Sequence, residues 1–283
     1  MGEFELIARY FKRPVRQPEV VLGVGDDCAL LQPRAGMQLA ISSDMLVSGR
    51  HFFPDEDPYK LGHKALAVNL SDLAACGARP IAFTLALALP EAHADWLAPF
   101  SQGLLALADA HSCALIGGDT TKGPLNICIT VFGEIPAGAA LLRSGARAGD
   151  DIWVSGTLGD ARLALEERWG HLALPGVVRA AAQARMDTPT PRVALGLALR
   201  GIASAAADVS DGLLGDLGHI LEQSGVGATV DTTIAINLLA ARANSTDTNG
   251  QFDLDVSHEK ALACVLSGGD DYELVFTAPA HQR

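Results

Sequence analysis

The chain has 283 residues and a formal net charge of −12, and 49% of its residues are hydrophobic while 5% are aromatic. This length allows one large domain or two of ordinary size, each with enough apolar material for a core. The acidic balance argues against nucleic acid as a partner, because a surface that binds nucleic acid needs a basic stripe.

The first half of the chain predicts strands that alternate with helices. An amphipathic pattern at the start predicts a short N-terminal helix. Asp57 followed by Pro58 is typical of a helix start, since a capping residue precedes proline at the first helical position, and this helix should run to about Cys76. A second helix is expected from Pro90 to about His111. Short strands are expected at 20–24, 28–31, 38–43, 81–89, 113–116 and 125–135.

The composition shifts to Gly, Ala and Arg around 136–150, and this shift predicts a domain boundary. We therefore expect an N-terminal domain at 1–138 and a C-terminal domain at 148–283. Both should be α/β folds with mixed sheets of the α+β type. In the second half, helices are expected after Gly159 and at 192–200, 212–224 and 258–266, strands at 151–155, 205–208, 227–231 and 272–277, and a polar loop at 244–250.

Six acidic segments recur where a strand or helix should end, and Gly, Ser or Thr flanks nearly every carboxylate. Hard cations such as Mg²⁺ take oxygen ligands of this kind. An acidic protein that binds polyphosphate must also separate like charges, which repel by roughly 4 kcal/mol per pair at an effective dielectric constant near 20. Taken singly, each segment could be an ordinary turn or helix cap. The segments contain Asp26 and Asp27, Asp44, Asp72, Asp119, Asp208 and Asp211, and Asp270 and Asp271.

The motifs of several other enzyme classes are absent. The sequence contains no GxxxxGK[ST] phosphate loop, no HExxH or HxxxH zinc spacing and no GxSxG nucleophile elbow. Basic residues near the acidic segments are few, and either Lys122 or Arg143 could neutralise charge on a transferred phosphoryl group. His51 could touch a ligand, although a lone histidine is more often structural.

The sequence predicts a soluble cytoplasmic protein. Its five cysteines are widely spaced and form no CxxC pair, which is typical of reduced thiols in a cytosolic protein. No signal peptide is evident, and the longest apolar run, 81–89, is too short to cross a bilayer. We therefore expect no membrane partner.

Seven segments together resemble the thiamine-monophosphate kinase family, which belongs to the superfamily of aminoimidazole ribonucleotide synthetase. They follow one another in order along nearly the whole chain. The combination of NLSDLAA, GGDTT and GGDDYEL is the most specific part. The segments are GDDCALL, ISSDML, KALAVNLSDLAACGARP, LIGGDTTKGPL, RSGARAGDDIWVSGTLGD, DVSDGLLGDLGHI and LSGGDDYELVF.

The resemblance implies ATP-dependent phosphorylation of thiamine monophosphate to thiamine diphosphate with several Mg²⁺ ions. It also implies a two-domain fold and a homodimer in which the N-terminal sheets pair. Asp270 stands where the family often has Glu. The family continues beyond a segment like 272–277 with a stretch whose aromatic residue packs on the substrate, and we expect this sequence to lack that stretch.

The resemblance also implies roles for individual residues. ATP would contact Gly118, Asp119, Arg143 and Ser210, and thiamine monophosphate would contact His51 and Asp270. From the positions of the basic residues and the resemblance together, we expect Asp44, Asp119, Lys122 and Arg143 to carry the chemistry. The Mg²⁺ ligands would be Asp27, Ser42, Ser43, Asp44, Asp72, Asp119, Asp208 and Asp211.

Two alternatives remain open at the level of sequence. The chain could be another ATP-using member of the superfamily, a synthetase that forms an activated acyl or imidate phosphate. It could also be an inactive copy that binds Mg²⁺ and nucleotide without turnover.

Overall fold

The computed structural model describes residues 2–240 and 256–283, and the polar segment expected at 244–250 lies outside them. The chain divides into two compact units, unit 1 at Met1–Ala140 and unit 2 at Leu141–Arg283. The division falls within the stretch where the composition changes. Each unit combines helices with a mixed or antiparallel sheet, and the α/β class expected from the sequence is confirmed.

Unit 1 is built on a four-stranded sheet in the order β3-β6-β4-β5. The pairs β3–β6 and β4–β6 are antiparallel, whereas β4–β5 is parallel. A small hairpin, β1 with β2, precedes this sheet. The elements are α1 at Glu3–Tyr10, β1 at Val20–Leu22, β2 at Leu30–Leu31, β3 at Met37–Val47, α2 at Pro58–Ala75, β4 at Arg79–Leu89, α3 at Ala94–Ala110, β5 at Ala114–Lys122 and β6 at Asn126–Pro136.

Helix α2 begins as its sequence predicts. The Asp57 carboxylate accepts hydrogen bonds from the amides of Tyr59 at 2.8 Å and Lys60 at 3.2 Å, which caps the helix. The helix is buried along most of its length between the sheet and α3. A Cβ on Gly103 of α3 would lie 1.9 Å from the carbonyl oxygen of Tyr59, so the two helices approach main chain to main chain.

One face of the sheet lies under α2, and part of the other face is exposed. Side chains alternate along β3, so Ser42, Asp44 and Leu46 share the face toward α2. The opposite face of β3 carries Ser43 and the apolar residues Leu39, Ile41 and Met45, which are 42%, 60% and 54% exposed. Isolated exposed apolar residues are ordinary, but three on one strand face form a patch.

Unit 2 contains a three-stranded antiparallel sheet in the order β7-β9-β8. Its core includes the fully buried Leu158, Leu163, Val209 and Ile220. The strands are β7 at Asp150–Val154, β8 at Ala205–Asp208 and β9 at Leu274–Pro279, and the helices are α4 at Asp160–Arg168, α5 at Gly176–Asp187, α6 at Val193–Leu199, α7 at Leu213–Ser224, α8 at Thr232–Ala235 and α9 at His258–Ser267.

Three expectations about local structure were wrong. Strand β5 does not end at Ile116 but continues through the GGDTTK segment, because Gly118 has no Cβ to collide with β4 and a register irregularity at Phe83 accommodates the pairing. Helix α5 was not expected at all. Residues 227–231 form no strand with any part of the chain that the structure describes, and they line a cavity of about 660 Å³ instead. A β-prone segment becomes a strand only where a neighbouring edge can pair with it.

No helix among residues 2–240 and 256–283 is both long enough and apolar enough to span a membrane.

Candidate active site

Unit 1 brings together Ser42, Asp44 and Asp72. The Ser42 hydroxyl on β3 donates a short hydrogen bond to Oδ2 of Asp72 on α2. One turn before Asp72, the side-chain oxygen of Asn69 accepts a hydrogen bond of 3.1 Å from the amide of Asp44. Asn69 is itself held, because its Nδ2 donates to the carbonyl of Ala65 at 3.0 Å. The strand and the helix therefore fix two carboxylates and a hydroxyl at one place.

The electrostatics of this group favour a cation. Burial and, second, the negative charge of Asp72 raise the pKa of the Asp44 carboxyl from its ordinary 3.8 to about 6. A positive ion placed between two such carboxylates reduces the repulsion between their negative charges. The donors are all oxygen atoms, which is the set that Mg²⁺ prefers. The residues present therefore fit Mg²⁺.

Other predicted ligands in unit 1 have different surroundings. Ser43 lies on the opposite face of β3 from Ser42 and Asp44, and its hydroxyl donates to the carbonyl of Ile129 at 3.1 Å and lies 3.0 Å from Oγ1 of Thr130. Asp27 lies exposed in the turn between β1 and β2, where its amide donates to Oδ1 of Asp26 at 2.9 Å. The structure does not bring the Ser43 hydroxyl to the Asp44 carboxylate.

Gly118, Asp119 and Lys122 lie on β5 at the edge of the sheet, and all three are exposed. A Cβ on Gly118 would lie 1.8 Å from the carbonyl oxygen of Leu85, and its φ of +144° is strained for any other residue. The glycine thus allows the main chain of β5 to approach β4 immediately before Asp119. Gly118 itself is exposed, so its own main chain is accessible to solvent.

His51 lies exposed in the turn that follows β3. Its Nδ1 accepts a hydrogen bond of 3.1 Å from the amide of Val47. A neutral imidazole that accepts at Nδ1 carries its proton on Nε2, so the ring has a defined tautomer and orientation.

Unit 2 gathers Ser210, Asp211 and Asp270 on two neighbouring loops. Asp208 ends β8 and is buried, and Ser210 and Asp211 follow it before α7. The amide of Asp270 donates to the carbonyl of Ser210 at 2.8 Å. A Cβ on Gly269 would lie 2.6 Å from that same carbonyl oxygen, so the two loops touch main chain to main chain.

Two further residues support these loops. The buried carboxylate of Asp216 in α7 accepts hydrogen bonds from the amides of Asp211 at 3.1 Å and Gly212 at 3.0 Å. Burial raises the pKa of Asp216, while these amide hydrogen bonds lower it, and the net shift is upward. Arg143 is exposed, and its carbonyl accepts a hydrogen bond of 3.2 Å from Ser224 at the end of α7.

Four residues that shape these sites had no role predicted from the sequence, although Asp271 lies in one of the acidic segments. Asn69 orients the Asp44 main chain, Asp216 holds the loop of Ser210 and Asp211, and Asp271 and Glu273 are buried beside Asp270. A signal existed for Asp216, since an acidic residue in the first turn of a helix often accepts amides at the helix start. No local pattern identifies Asn69 as the partner of a distant strand.

No group of three or more His, Cys, Asp or Glu side chains suited to a metal ion occurs within residues 2–240 and 256–283. Mg²⁺ is usually held by one or two carboxylates together with substrate phosphates, so the pair of Asp44 and Asp72 satisfies this requirement without a larger cage.

Comparison with protein families gives matches in both units. Residues 25–135 match the N-terminal domain of AIR synthase related protein, and residues 147–269 match its C-terminal domain. The chain is 51% identical to thiamine-monophosphate kinase of Salmonella typhimurium over 294 aligned positions, covering 100% of this chain and 84% of that protein. The chain belongs to the thiamine-monophosphate kinase family. It is therefore an enzyme, a kinase.

Solved structures that are similar to this chain include a thiamine-monophosphate kinase. The crystal structure of thiamine-monophosphate kinase from Stenotrophomonas maltophilia K279a is 49% identical and has a TM-score of 0.81, covering 99% of this chain and 85% of that chain. A structure described as AaThiL complexed with AMPPCP and TMP is 27% identical with a TM-score of 0.73, covering 89% of this chain and 79% of that chain.

Proposed function

We propose that this chain transfers the γ-phosphoryl group of ATP to thiamine monophosphate, giving thiamine diphosphate and ADP. The observation that carries the proposal is the group of Ser42, Asp44 and Asp72, in which burial and the charge of Asp72 raise the pKa of Asp44 to about 6. The relative from Salmonella typhimurium and the neighbour complexed with AMPPCP and TMP support the choice of substrates.

The aspartates are proposed to act as ligands of several Mg²⁺ ions. When bound, these ions neutralise charge on the polyphosphate oxygens. The chain's own contribution is to hold the oxygen donors still, as the hydrogen bonds of Ser42 and Asn69 do for Asp72 and Asp44. The proposed ligands are Asp27, Ser42, Ser43, Asp44, Asp72, Asp119, Asp208 and Asp211.

The reaction needs no general base. The acceptor is a phosphate monoester whose second pKa is near 6, so it is mostly a dianion at pH 7. One of its oxygens forms a bond to the γ-phosphorus while the bond from that phosphorus to the β–γ bridging oxygen breaks, and the electron pair leaves with ADP. We propose that this in-line step is direct, and that Lys122 and Arg143 offset the charge that develops.

The remaining residues bind the two substrates in this proposal. Gly118, Asp119, Arg143 and Ser210 are assigned to ATP, and His51 and Asp270 to thiamine monophosphate. The exposed main chain at Gly118 and the defined tautomer of His51 support these assignments.

A coupled assay of ADP release with ATP, excess Mg²⁺ and thiamine monophosphate tests the function. We expect release that depends on thiamine monophosphate and formation of thiamine diphosphate. Nucleotide binding without turnover would favour the inactive copy, and turnover only with another acceptor would favour a synthetase. Trapping of a phospho-aspartate after mixing with radiolabelled ATP alone would contradict direct transfer.

We further propose that two copies pair through the exposed face of β3. Leu39, Ile41 and Met45 form the apolar patch there, and burying such a patch against a second copy is favourable. Ile41→Asp should therefore convert a dimer to a monomer in sedimentation velocity experiments. Val177→Asp is the matched control, because Val177 is a 79% exposed apolar residue of unit 2. A monomeric unsubstituted chain, or equal effects of both substitutions, would contradict this interface.

A further inference from the structure

The turn that contains Asp270 has an unusual main-chain conformation. Asp270 and Tyr272 have φ values of +62° and +52°, and Gly269 before them has a φ of +69°. The left-handed region is unfavourable for residues with a side chain, and such residues persist only where their surroundings hold them. The conformation of Asp270 therefore requires contacts that maintain it.

Some of these contacts are made by the main chain. The amide of Asp270 donates to the carbonyl of Ser210 at 2.8 Å, and the amide of Tyr272 donates to the carbonyl of Val209 at 2.9 Å. In return, the amide of Val209 donates to the carbonyl of Glu273 at 2.8 Å. These bonds lock the turn to the loop that follows β8.

The side chain of Asp271 forms a second contact. Both of its carboxylate oxygens lie 3.0 Å from the amide nitrogen of Gly159, the residue before helix α4. Asp271 is 1% exposed, so this contact lies in the interior of unit 2.

Glu273 forms the third contact. Its carboxylate is fully buried and accepts hydrogen bonds from Ser155 at 2.5 Å, Arg185 at 2.6 Å and both Nε and Nη2 of Arg192 at 2.5 Å. The Arg185 atom that donates to Glu273 is Nη2, and this atom also lies 3.4 Å from the carbonyl oxygen of Asp271. One guanidinium thus joins the Glu273 carboxylate to the main chain of the strained turn.

A buried ion cluster of this kind is a costly way to gain stability. The free energy lost when charges are removed from water offsets most of the free energy gained from their attraction. Apolar residues of similar size therefore often stabilise a core equally well. What the cluster does supply is fixed geometry, because a bidentate guanidinium defines both distance and orientation.

We propose that Glu273, held by Arg185 and Arg192, is a positioning residue for thiamine monophosphate that keeps Asp270 in its left-handed conformation. This inference rests on the proposed role of Asp270 in binding that substrate. Glu273 acts through the main chain of residues 270–272. Its loss should weaken binding of thiamine monophosphate and leave binding of ATP unchanged.

The test substitutes Arg192, which is 31% exposed and so less critical for folding than Glu273 itself. In Arg192→Gln we expect the dissociation constant for thiamine monophosphate, measured by calorimetry, to rise about tenfold, as is typical when a supporting residue is lost. The dissociation constant of Arg192→Lys should lie between those of the unsubstituted chain and Arg192→Gln, since lysine keeps the charge without the bidentate geometry. Arg179→Gln is the control, because it breaks an Arg–Glu pair elsewhere in unit 2.

A double-mutant cycle with Asp270→Asn separates positioning from general destabilisation. If Glu273 acts through Asp270, Arg192→Gln should weaken thiamine monophosphate binding no further in the Asp270→Asn background. Hydrogen exchange at the amides of Asp270 and Tyr272 should also quicken in Arg192→Gln and not in Arg179→Gln.

The inference would be overturned if Arg192→Gln weakened thiamine monophosphate binding equally with and without Asp270→Asn. A matching loss of ATP binding, or unchanged hydrogen exchange at the turn, would also overturn it. A chain that neither binds nor phosphorylates thiamine monophosphate, but whose turn exchanges faster in Arg192→Gln, would overturn the proposed function and with it the role of Glu273 in that site.

Discussion

In unit 1 Asp44, Asp72 and Asp119 project from regular elements, whereas in unit 2 Asp211 and Asp270 lie on loops between elements. Asp44 is in the middle of a strand and Asp72 is on a long helix, so sheet pairing and helix packing fix them. Asp211 and Asp270 are on loops whose shape depends on glycines without a Cβ and on buried carboxylates. The first arrangement depends on secondary structure, and the second depends on specific tertiary contacts.

Both units nevertheless bury a carboxylate beside two arginines. In unit 1, burial by itself would raise the pKa of Glu134. Hydrogen bonds from Arg79 and Arg34 lower this pKa by more than burial raises it, so the net shift is downward. This cluster lies at the base of the hairpin that carries Asp27, whereas the Glu273 cluster of unit 2 lies next to Asp270. Each of these two clusters therefore lies next to an irregular segment.

The largest expected effect is loss of turnover in unit 1. Asp44→Asn keeps the volume of the side chain and removes its charge, so kcat should fall by about 10³-fold, as when a charge-stabilising group of a phosphoryl-transfer site is removed. The coupled assay measures this, and circular dichroism should show an unchanged fold. Asp95→Asn, an exposed acidic residue of the same unit, is the control and should retain activity. Near-normal activity of Asp44→Asn would remove this residue from the metal site.

The next effect tests how far unit 1 depends on close strand packing. Gly118→Ala would place a Cβ 1.8 Å from the carbonyl oxygen of Leu85, so the free energy of unfolding of unit 1 should fall by about 3 kcal/mol or more. Gly117→Ala is the control, because a Cβ there meets nothing within 4 Å. Urea unfolding followed by the fluorescence of Trp96 reports on unit 1 in a background where the two tryptophans of unit 2 are replaced by phenylalanine.

Equal losses for the alanine substitutions at 117 and 118 would mean that the approach of β5 to β4 is not a tight constraint. The placement of Asp119 would then depend on something other than this glycine.

The smallest effect concerns stability and pH in unit 2. Burial would raise the pKa of Glu166, but hydrogen bonds from Lys260, His171 and Arg162 lower it from 4.5 to about 2. Because the folded value lies below the unfolded one, this interaction stabilises the fold above pH 4.5 and is lost as the pH falls toward 2. Its contribution at pH 7 is about 2 kcal/mol after allowance for the exposed partners.

The difference in unfolding free energy between the unsubstituted chain and Glu166→Gln should therefore shrink as the pH falls through this range. Trp169, beside Arg162, reports the unfolding by fluorescence. A difference that stays constant with pH would show that packing, and not charge, accounts for the effect of the substitution.

Much of the local structure followed from the sequence, as the start of α2 illustrates. The pairing of a capping aspartate with proline is a local signal, and its hydrogen bonds form within one turn. The length of β5 and the absence of a strand at 227–231 could not be predicted, because both depend on whether a neighbouring edge is available.

The sequence by itself determined the α/β class, the family and the residues in the acidic segments, since these depend on local pattern and on ordered motifs. Only the tertiary structure decided that Ser42, and not Ser43, turns toward Asp72, and that Asn69 accepts a hydrogen bond from the amide of Asp44. Such choices depend on contacts between residues far apart in the chain. A carboxylate's surroundings, and hence its pKa, are set by packing that no local pattern encodes.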